Sequence, residues 1–235
     1  MNVALILSGG TGTRLGADIP KQYIEVGGKP IICYCVERLL RHDKIDAVQI
    51  VADQSWHDAI RGWISGKDSN KKLKGFSLPG ENRQLSIFYG LEDIRKYASD
   101  EDFVLIHDAA RPLLSEGMIS ECIDTVQGHD GALPVLPMKD TVYLSMDGKK
   151  VDNLLDRNRI YAGQAPEIFR IGKYYEANKQ LLPTEILKIN GSTEPAVMAE
   201  MDIVMIPGDE RNFKITTKAD LERFREIVEK SQEKD

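Results

Sequence analysis

An apolar run, Val3-Ala-Leu-Ile-Leu7, leads straight into Ser8-Gly9-Gly10-Thr11-Gly12-Thr13-Arg14-Leu15-Gly16, and Pro20-Lys21-Gln22 follows closely. Glycines after a strand let backbone N–H groups turn inward and approach an anion. Arg14 and Lys21 add charge of two kinds: a guanidinium forks two phosphate oxygens, and an ammonium acts as a point charge. Two common nucleotide loops do not fit. The dinucleotide fingerprint needs G-x-G-x-x-G, and Gly10, Gly12 and Gly16 are spaced one residue too long. A P-loop needs a glycine five residues before Gly-Lys-Ser/Thr; here Tyr23 stands there, and Pro30 follows Gly28-Lys29. The spacing therefore disfavours a nicotinamide-dependent oxidoreductase. Glycines, then an arginine, then Pro-Lys suit a nucleoside triphosphate whose leaving pyrophosphate must be neutralised.

A second chemical cluster is Phe103-Val-Leu-Ile-His-Asp-Ala-Ala-Arg-Pro112. It puts His107, Asp108 and Arg111 at the C-terminal end of a buried strand, the edge where open α/β sheets bind ligands. A carboxylate beside bound phosphates is a natural magnesium ligand, so Asp108 is the candidate metal residue and Mg2+ the expected cofactor. His107 reads as a packing residue that satisfies backbone groups.

The elements that position these clusters follow from periodicity. Continuous apolar character marks Val3–Leu7 as a buried strand. Ala47–Ala52, Phe76–Leu78, Phe103–Ile106, Ala132–Val135 and Ile203–Ile206 read as further strands. Pro30 opens a helix through Arg41, and Trp56–Ile64, Leu85–Tyr97 and Ile119–Val126 are helical by spacing. Alternating strands and helices predict an α/β fold, a mostly parallel sheet with helices on both faces. Thr141–Val151 reads as a polar hairpin turning at Met146-Asp147-Gly148. Ile168–Leu182 is expected to be mostly helix. Thr217 and Asp220 have capping-box spacing and open a last amphipathic helix, whose tail, Glu229–Asp235, is expected to fray.

The chain has 235 residues, which suits one α/β domain, and 42% hydrophobic content supports a sizeable core. Its 31 basic and 37 acidic residues give a net charge of −6, against broad capture of nucleic acid or an anionic membrane. A local basic cluster on an acidic body still suits a small anionic substrate. Cys33, Cys35 and Cys122 form no disulfide framework, and the apolar N-terminus is too short for a membrane span and lacks a basic leader. The expectation is a soluble cytoplasmic protein.

Beyond these readings, the motif Leu7-x-Gly-Gly-x-Gly-x-Arg-Leu-Gly-x3-Pro-Lys-Gln22 resembles the opening of sugar- and polyol-phosphate nucleotidyltransferases. His107-Asp-Ala-Ala-Arg-Pro112, with Pro20-Lys-Gln-Tyr23, resembles the polyol-phosphate cytidylyltransferase branch. That branch acts on 2-C-methyl-D-erythritol 4-phosphate or ribitol 5-phosphate. The resemblance runs in order over roughly the first 230 residues. It implies a single Rossmann-like nucleotidyltransferase domain with an inserted β-arm, about residues 139–163, that dimerises by arm exchange. It implies transfer of CMP from CTP to a small polyol phosphate, with Arg14, Lys21 and Lys214 of Asn212-Phe-Lys-Ile-Thr216 as catalytic cations. Nucleotide contacts would come from Ser8, Gly9, Gly10, Thr11, Gly12, Thr13, Gly80, Glu81, Arg83 and Ser86. Acceptor contacts would come from Arg111, Thr141 of Lys139-Asp-Thr141, Arg157 of Leu155-Asp-Arg157, and Thr193.

Departures from the family pattern fall on the acceptor side. Ala165 of Gln164-Ala-Pro166 replaces a threonine, and Thr193-Glu-Pro-Ala-Val197 matches a T-D-[DE]-A-S segment only in part. The stretch from there to Gly208 is about three residues short. Gly9-Gly-Thr-Gly12 leans toward ribitol enzymes and His107-Asp-Ala-Ala-Arg111 toward methylerythritol ones. The default acceptor is 2-C-methyl-D-erythritol 4-phosphate, with ribitol 5-phosphate as the alternative. A non-catalytic nucleotide-binding protein is the alternative of another class; its mark would be loss of Lys21, Asp108 or Lys214, and all three are present.

Overall fold

The computed structural model describes residues 1–10 and 19–233. The first strand, β1 (Asn2–Leu7), is buried along its middle and sends alternate residues to opposite faces: Ala4 and Ile6 to one core, Val3 and Leu5 to the other. A two-strand ribbon, β2 (Glu25–Val26) and β3 (Lys29–Pro30), leads into helix α1 (Ile31–Arg41), with Pro30 at its N-cap as expected. Then come β4 (Ala47–Val51), α2 (His57–Trp63), β5 (Leu73–Ser77), α3 (Arg83–Ile94), β6 (Phe103–Asp108), α4 (Glu116–Thr125) and β7 (Gly131–Pro137). The strands β6, β1, β4 and β5 lie side by side, all parallel. Helices α1, α2 and α4 cover one face of this sheet and α3 the other.

Beyond β7 the rhythm changes. The strands β8 (Val142–Leu144) and β9 (Asn153–Leu155) form a separate antiparallel hairpin. Its connection is longer than the expected turn because the Asp147 carboxylate accepts from the Lys149 and Lys150 amides and Asp152 from the Met146 amide. The chain returns through β10 (Tyr161–Gly163) and β11 (Glu167–Arg170), both antiparallel to β7, with β11 wedged between β7 and β6. The sheet is therefore mixed, with a parallel centre.

The expected helix over Ile168–Leu182 is corrected here: residues 168–170 belong to β11, and the helix, α5, is Ile171–Lys179. Ile168 and Phe169 point into opposite cores, the period of a strand, and both pair with β7. A short helix, α6 (Glu194–Met198), and β12 (Ile203–Pro207), parallel to β7, precede α7 (Lys218–Gln232). The capping box on α7 is present: Thr217 accepts from the Asp220 amide, and Asp220 accepts from the Thr217 amide. No helix among the described residues is long and apolar enough to cross a membrane.

Candidate active site

The C-terminal ends of β1, β5 and β6 open into a cleft of about 750 Å³. From β1 come Ser8, Gly9 and Gly10; from the segment after β5, Gly80 and Glu81; from α3, Arg83 and Ser86; from β6, Asp108. Lys21 and Lys214 complete the wall, so ten of the residues named from the sequence meet here. Thr11, Gly12, Thr13 and Arg14 lie outside the described residues.

The loop after β1 is braced from behind. Gln22 donates from one amide nitrogen to the carbonyls of Ser8 (2.7 Å) and Gly10 (2.8 Å). The Ser8 hydroxyl donates to the Tyr23 hydroxyl at 2.9 Å, and Tyr23 stacks on Trp56 at 4.2 Å between ring centroids. Pro20-Lys-Gln-Tyr23 thus does two jobs: Lys21 faces the cleft, and the two residues after it hold Ser8 and Gly10. A Cβ built on Gly9 would lie 2.5 Å from Pro79 Cβ, on a ring that cannot rotate away. Gly9→Ala is expected to cost about 1–3 kcal/mol by overpacking. Equilibrium unfolding checks this, and a variant of wild-type stability would show that the loop and Pro79 part easily.

The segment at the start of α3 is a capping device that also faces the cleft. Asn82 accepts from the Leu85 amide at 2.8 Å, and Ser86 Oγ accepts from the Gly80 amide at 2.9 Å while donating to the Asn82 carbonyl. Ser86 lines the cleft, but its hydroxyl already shapes the turn. Arg83, just inside the helix, reaches across to Asp108: both Nε and Nη2 lie 3.2 Å from Oδ1.

Asp108 gathers three cations. Lys214 Nζ is 3.0 Å from Oδ2 and Arg111 Nε is 3.6 Å from the same oxygen. Burial alone would raise the Asp108 pKa; the charges of Arg83, Lys214 and Arg111 outweigh it and hold the carboxyl far below the usual carboxylate range. Arg111 is turned inward, donating to the Asn212 carbonyl at 2.6 Å, and does not line the cleft. Lys214 is held in place by its own segment. Gln164 brackets Asp209 with two hydrogen bonds (3.0 and 3.1 Å), Asn212 donates to the Ala165 carbonyl at 2.7 Å, and the Ile215 amide donates to Ala110 at 2.9 Å. The Gln164-Ala-Pro segment thus acts as a clamp on the segment carrying Lys214.

His107 faces the other core, fully buried, with Nε2 3.0 Å from the Arg111 carbonyl. Burial lowers its pKa to about 4, so it is a neutral packing residue. The remaining predicted residues do not join the cleft of this chain. Thr141 and Arg157 are exposed near the hairpin, Arg157 donating to the Lys139 carbonyl at 2.8 Å. Thr193 precedes α6, its buried hydroxyl without a hydrogen-bond partner. Sequence reasoning passed over Trp56, Asn82 and the buried Glu167. An aromatic or an amide just ahead of a helix carries no site signal until the fold places it beside the cleft.

The match to known proteins decides the family. The model of the IspD family, 2-C-methyl-D-erythritol 4-phosphate cytidylyltransferase, covers residues 2–230. The chain belongs to the IspD family of cytidylyltransferases. Among its relatives, a ribitol-5-phosphate cytidylyltransferase of Streptococcus agalactiae serotype V is 32% identical over 97% of this chain and 95% of its own length. A 2-C-methyl-D-erythritol 4-phosphate cytidylyltransferase of Syntrophotalea carbinolica is 33% identical over 92% and 91%. The crystal structure of 4-diphosphocytidyl-2C-methyl-D-erythritol synthase from Anaerococcus prevotii superposes with a TM-score of 0.82 at 25% identity, over 97% of this chain and 96% of that one. IspD-family relatives of two names thus sit at nearly equal distance. The acceptor is the point on which the two names differ.

Proposed function

We propose that the protein transfers CMP from CTP to the phosphate of a small polyol phosphate and releases pyrophosphate. The observation that carries this is the ionised Asp108 gripped by Arg83 and Lys214 at a strand end, inside a cleft walled by Ser8, Gly9 and Gly10. An oxygen of the acceptor phosphate attacks the α-phosphorus, a new P–O bond forms, and the bond to the bridging oxygen of pyrophosphate breaks. The acceptor phosphate is already ionised near neutral pH, so no strong general base is needed. Catalysis is positioning plus neutralisation of charge at the α-phosphate and the leaving group. Lys21, Lys214 and Arg14 supply that charge. Lys21→Ala is expected to lower kcat about 100-fold with the fold intact; wild-type turnover would remove Lys21 from the transition state.

Magnesium is tested by the donors present. Among the described residues no three His, Cys, Asp or Glu gather as a metal site. Magnesium commonly takes one or two carboxylates and completes its shell with substrate phosphates and water. The donor set therefore fits an ion that arrives with the triphosphate and is held on the protein side by Asp108. When bound, such an ion would neutralise phosphate charge; the cations now on Asp108 are then available to the phosphates.

The default acceptor is 2-C-methyl-D-erythritol 4-phosphate, the substrate named by the family description. Ribitol 5-phosphate is the second reading, supported by the relative of that name at 32% identity. The exposed Tyr143, Leu144, Met146, Val151 and Leu154 around the hairpin support a homodimer in which Thr141 and Arg157 serve the neighbour's acceptor site. The setting proposed is the cytoplasm. Pyrophosphate release from CTP, measured with each polyol phosphate in turn, tests the reading. Turnover with neither acceptor would overturn it.

A further inference from the structure

The cleft has two chemically different ends. Arg83 and Lys214 converge on Asp108 at the end of β6, and that end suits phosphates. On the other side of β1 stands β4, so its end lies two strands, about 10 Å, from the end of β6. The segment after β4 brings Asp53 and Trp56 into the cleft wall, and the transfer chemistry uses neither.

Asp53 is held in one orientation. It caps the short turn Gln54–Trp56, its Oδ1 accepting from the Ser55 amide at 3.0 Å and from the Ser55 hydroxyl at 2.5 Å. These bonds hold the carboxyl below its usual range, so at neutral pH both oxygens only accept. Among the described residues nothing donates to Oδ2, and the side chain is exposed. Trp56 is fixed beside it: its amide donates to the Asp53 carbonyl at 3.0 Å, and its ring stacks on Tyr23.

A fixed carboxylate repels phosphates, so its place is at the nucleoside end, where it meets neutral donors. The aromatic ring next to it offers a wall for the C–H face of a sugar. In dinucleotide-binding sheets, an acid beyond the phosphate-binding turn takes a ribose 2′-hydroxyl. Asp53 holds a comparable place, on the strand paired with β1: Leu7 lies opposite Val51, and the Ser8 amide donates to the Val51 carbonyl at 2.8 Å. We propose that Asp53 reads the ribose of the bound nucleotide, its free Oδ2 accepting from the 2′-hydroxyl against the wall of Trp56. The inference rests on the CTP-dependent transfer proposed above.

Calorimetric titration with CTP, 2′-deoxy-CTP and UTP, in magnesium and without acceptor, tests it. Wild-type protein is expected to bind CTP about 10–100-fold more tightly than 2′-deoxy-CTP, the worth of a hydrogen bond to a charged group. Asp53→Ser keeps a cap for the Ser55 amide but has no second oxygen to offer. It is expected to weaken CTP by that same factor and to leave 2′-deoxy-CTP within about threefold. Asp53→Asn keeps both the cap and an acceptor, and is expected to retain part of the preference. Equal wild-type affinity for CTP and 2′-deoxy-CTP would overturn the proposal without any variant. Equal losses for the two nucleotides in Asp53→Ser, the mark of a merely structural role, would overturn it too. So would a lost preference over UTP in place of the lost preference over 2′-deoxy-CTP, which would assign Asp53 to the base. Wild-type protein that discriminates the two sugars yet releases no pyrophosphate with either polyol phosphate would keep Asp53 as the ribose reader and overturn the transfer reading. No binding of CTP at all would overturn both.

Discussion

Asp108→Asn is expected to lower stability by about 3 kcal/mol and turnover about 100-fold or more. The substitution keeps the shape and removes the charge on which Arg83, Arg111 and Lys214 converge. Breaking a buried ion pair by removing one partner typically costs about 3–5 kcal/mol. The low end applies because the Arg83 and Lys214 side chains keep 30% and 35% of their surface in water, where solvent screens them. The pH signature follows from the sign of the shift. The folded-state pKa of Asp108 is depressed, so its stabilisation is present above the ordinary carboxylate pKa of 3.8 and is lost as pH falls below it. Urea unfolding of both proteins should therefore give a constant difference at neutral pH that narrows in acid. Equal stability at pH 7 would mean that the three cations are satisfied by water, and that Asp108 organises nothing.

The same residues show where the sequence was readable. The strand and the strand-end aspartate were legible because each is a local pattern: apolar continuity, and a charge at the end of a buried run. The capping box at Thr217 and Asp220 was legible for the same reason. β11 was not. Ile168 and Phe169 precede a true helix, and only pairing with β6 and β7 draws them into a strand. The roles of Gln22, Gln164 and Asn212 were hidden too, because side chains that hydrogen-bond backbone far away in sequence leave no periodic trace. Thr141 and Arg157 were named from resemblance, and this single chain leaves them exposed.

Glu167 is the case furthest from the sequence, and it carries the second large effect. Burial raises its pKa to about 7, with the repulsion of Asp108 adding to it and Arg83, Arg111 and Lys214 acting against it. The folded protein therefore keeps a proton that the unfolded chain, near the ordinary value of 4.5, has already released. Unfolding between those values releases a proton, so this group subtracts stability as pH rises from about 4.5 to about 7. Above that the penalty is constant at about 3 kcal/mol, from roughly 1.4 kcal/mol per pKa unit. Glu167→Gln carries no such proton. It is expected to match wild type near pH 5 and to exceed it by about 3 kcal/mol at pH 8, read by urea unfolding across that range. Parallel curves would show that Glu167 ionises as freely in the fold as in the unfolded chain. The two carboxyls thus pull in opposite directions. Asp108 is held charged by its cations and fails in acid, whereas Glu167 is held neutral by its burial and weakens the fold in base.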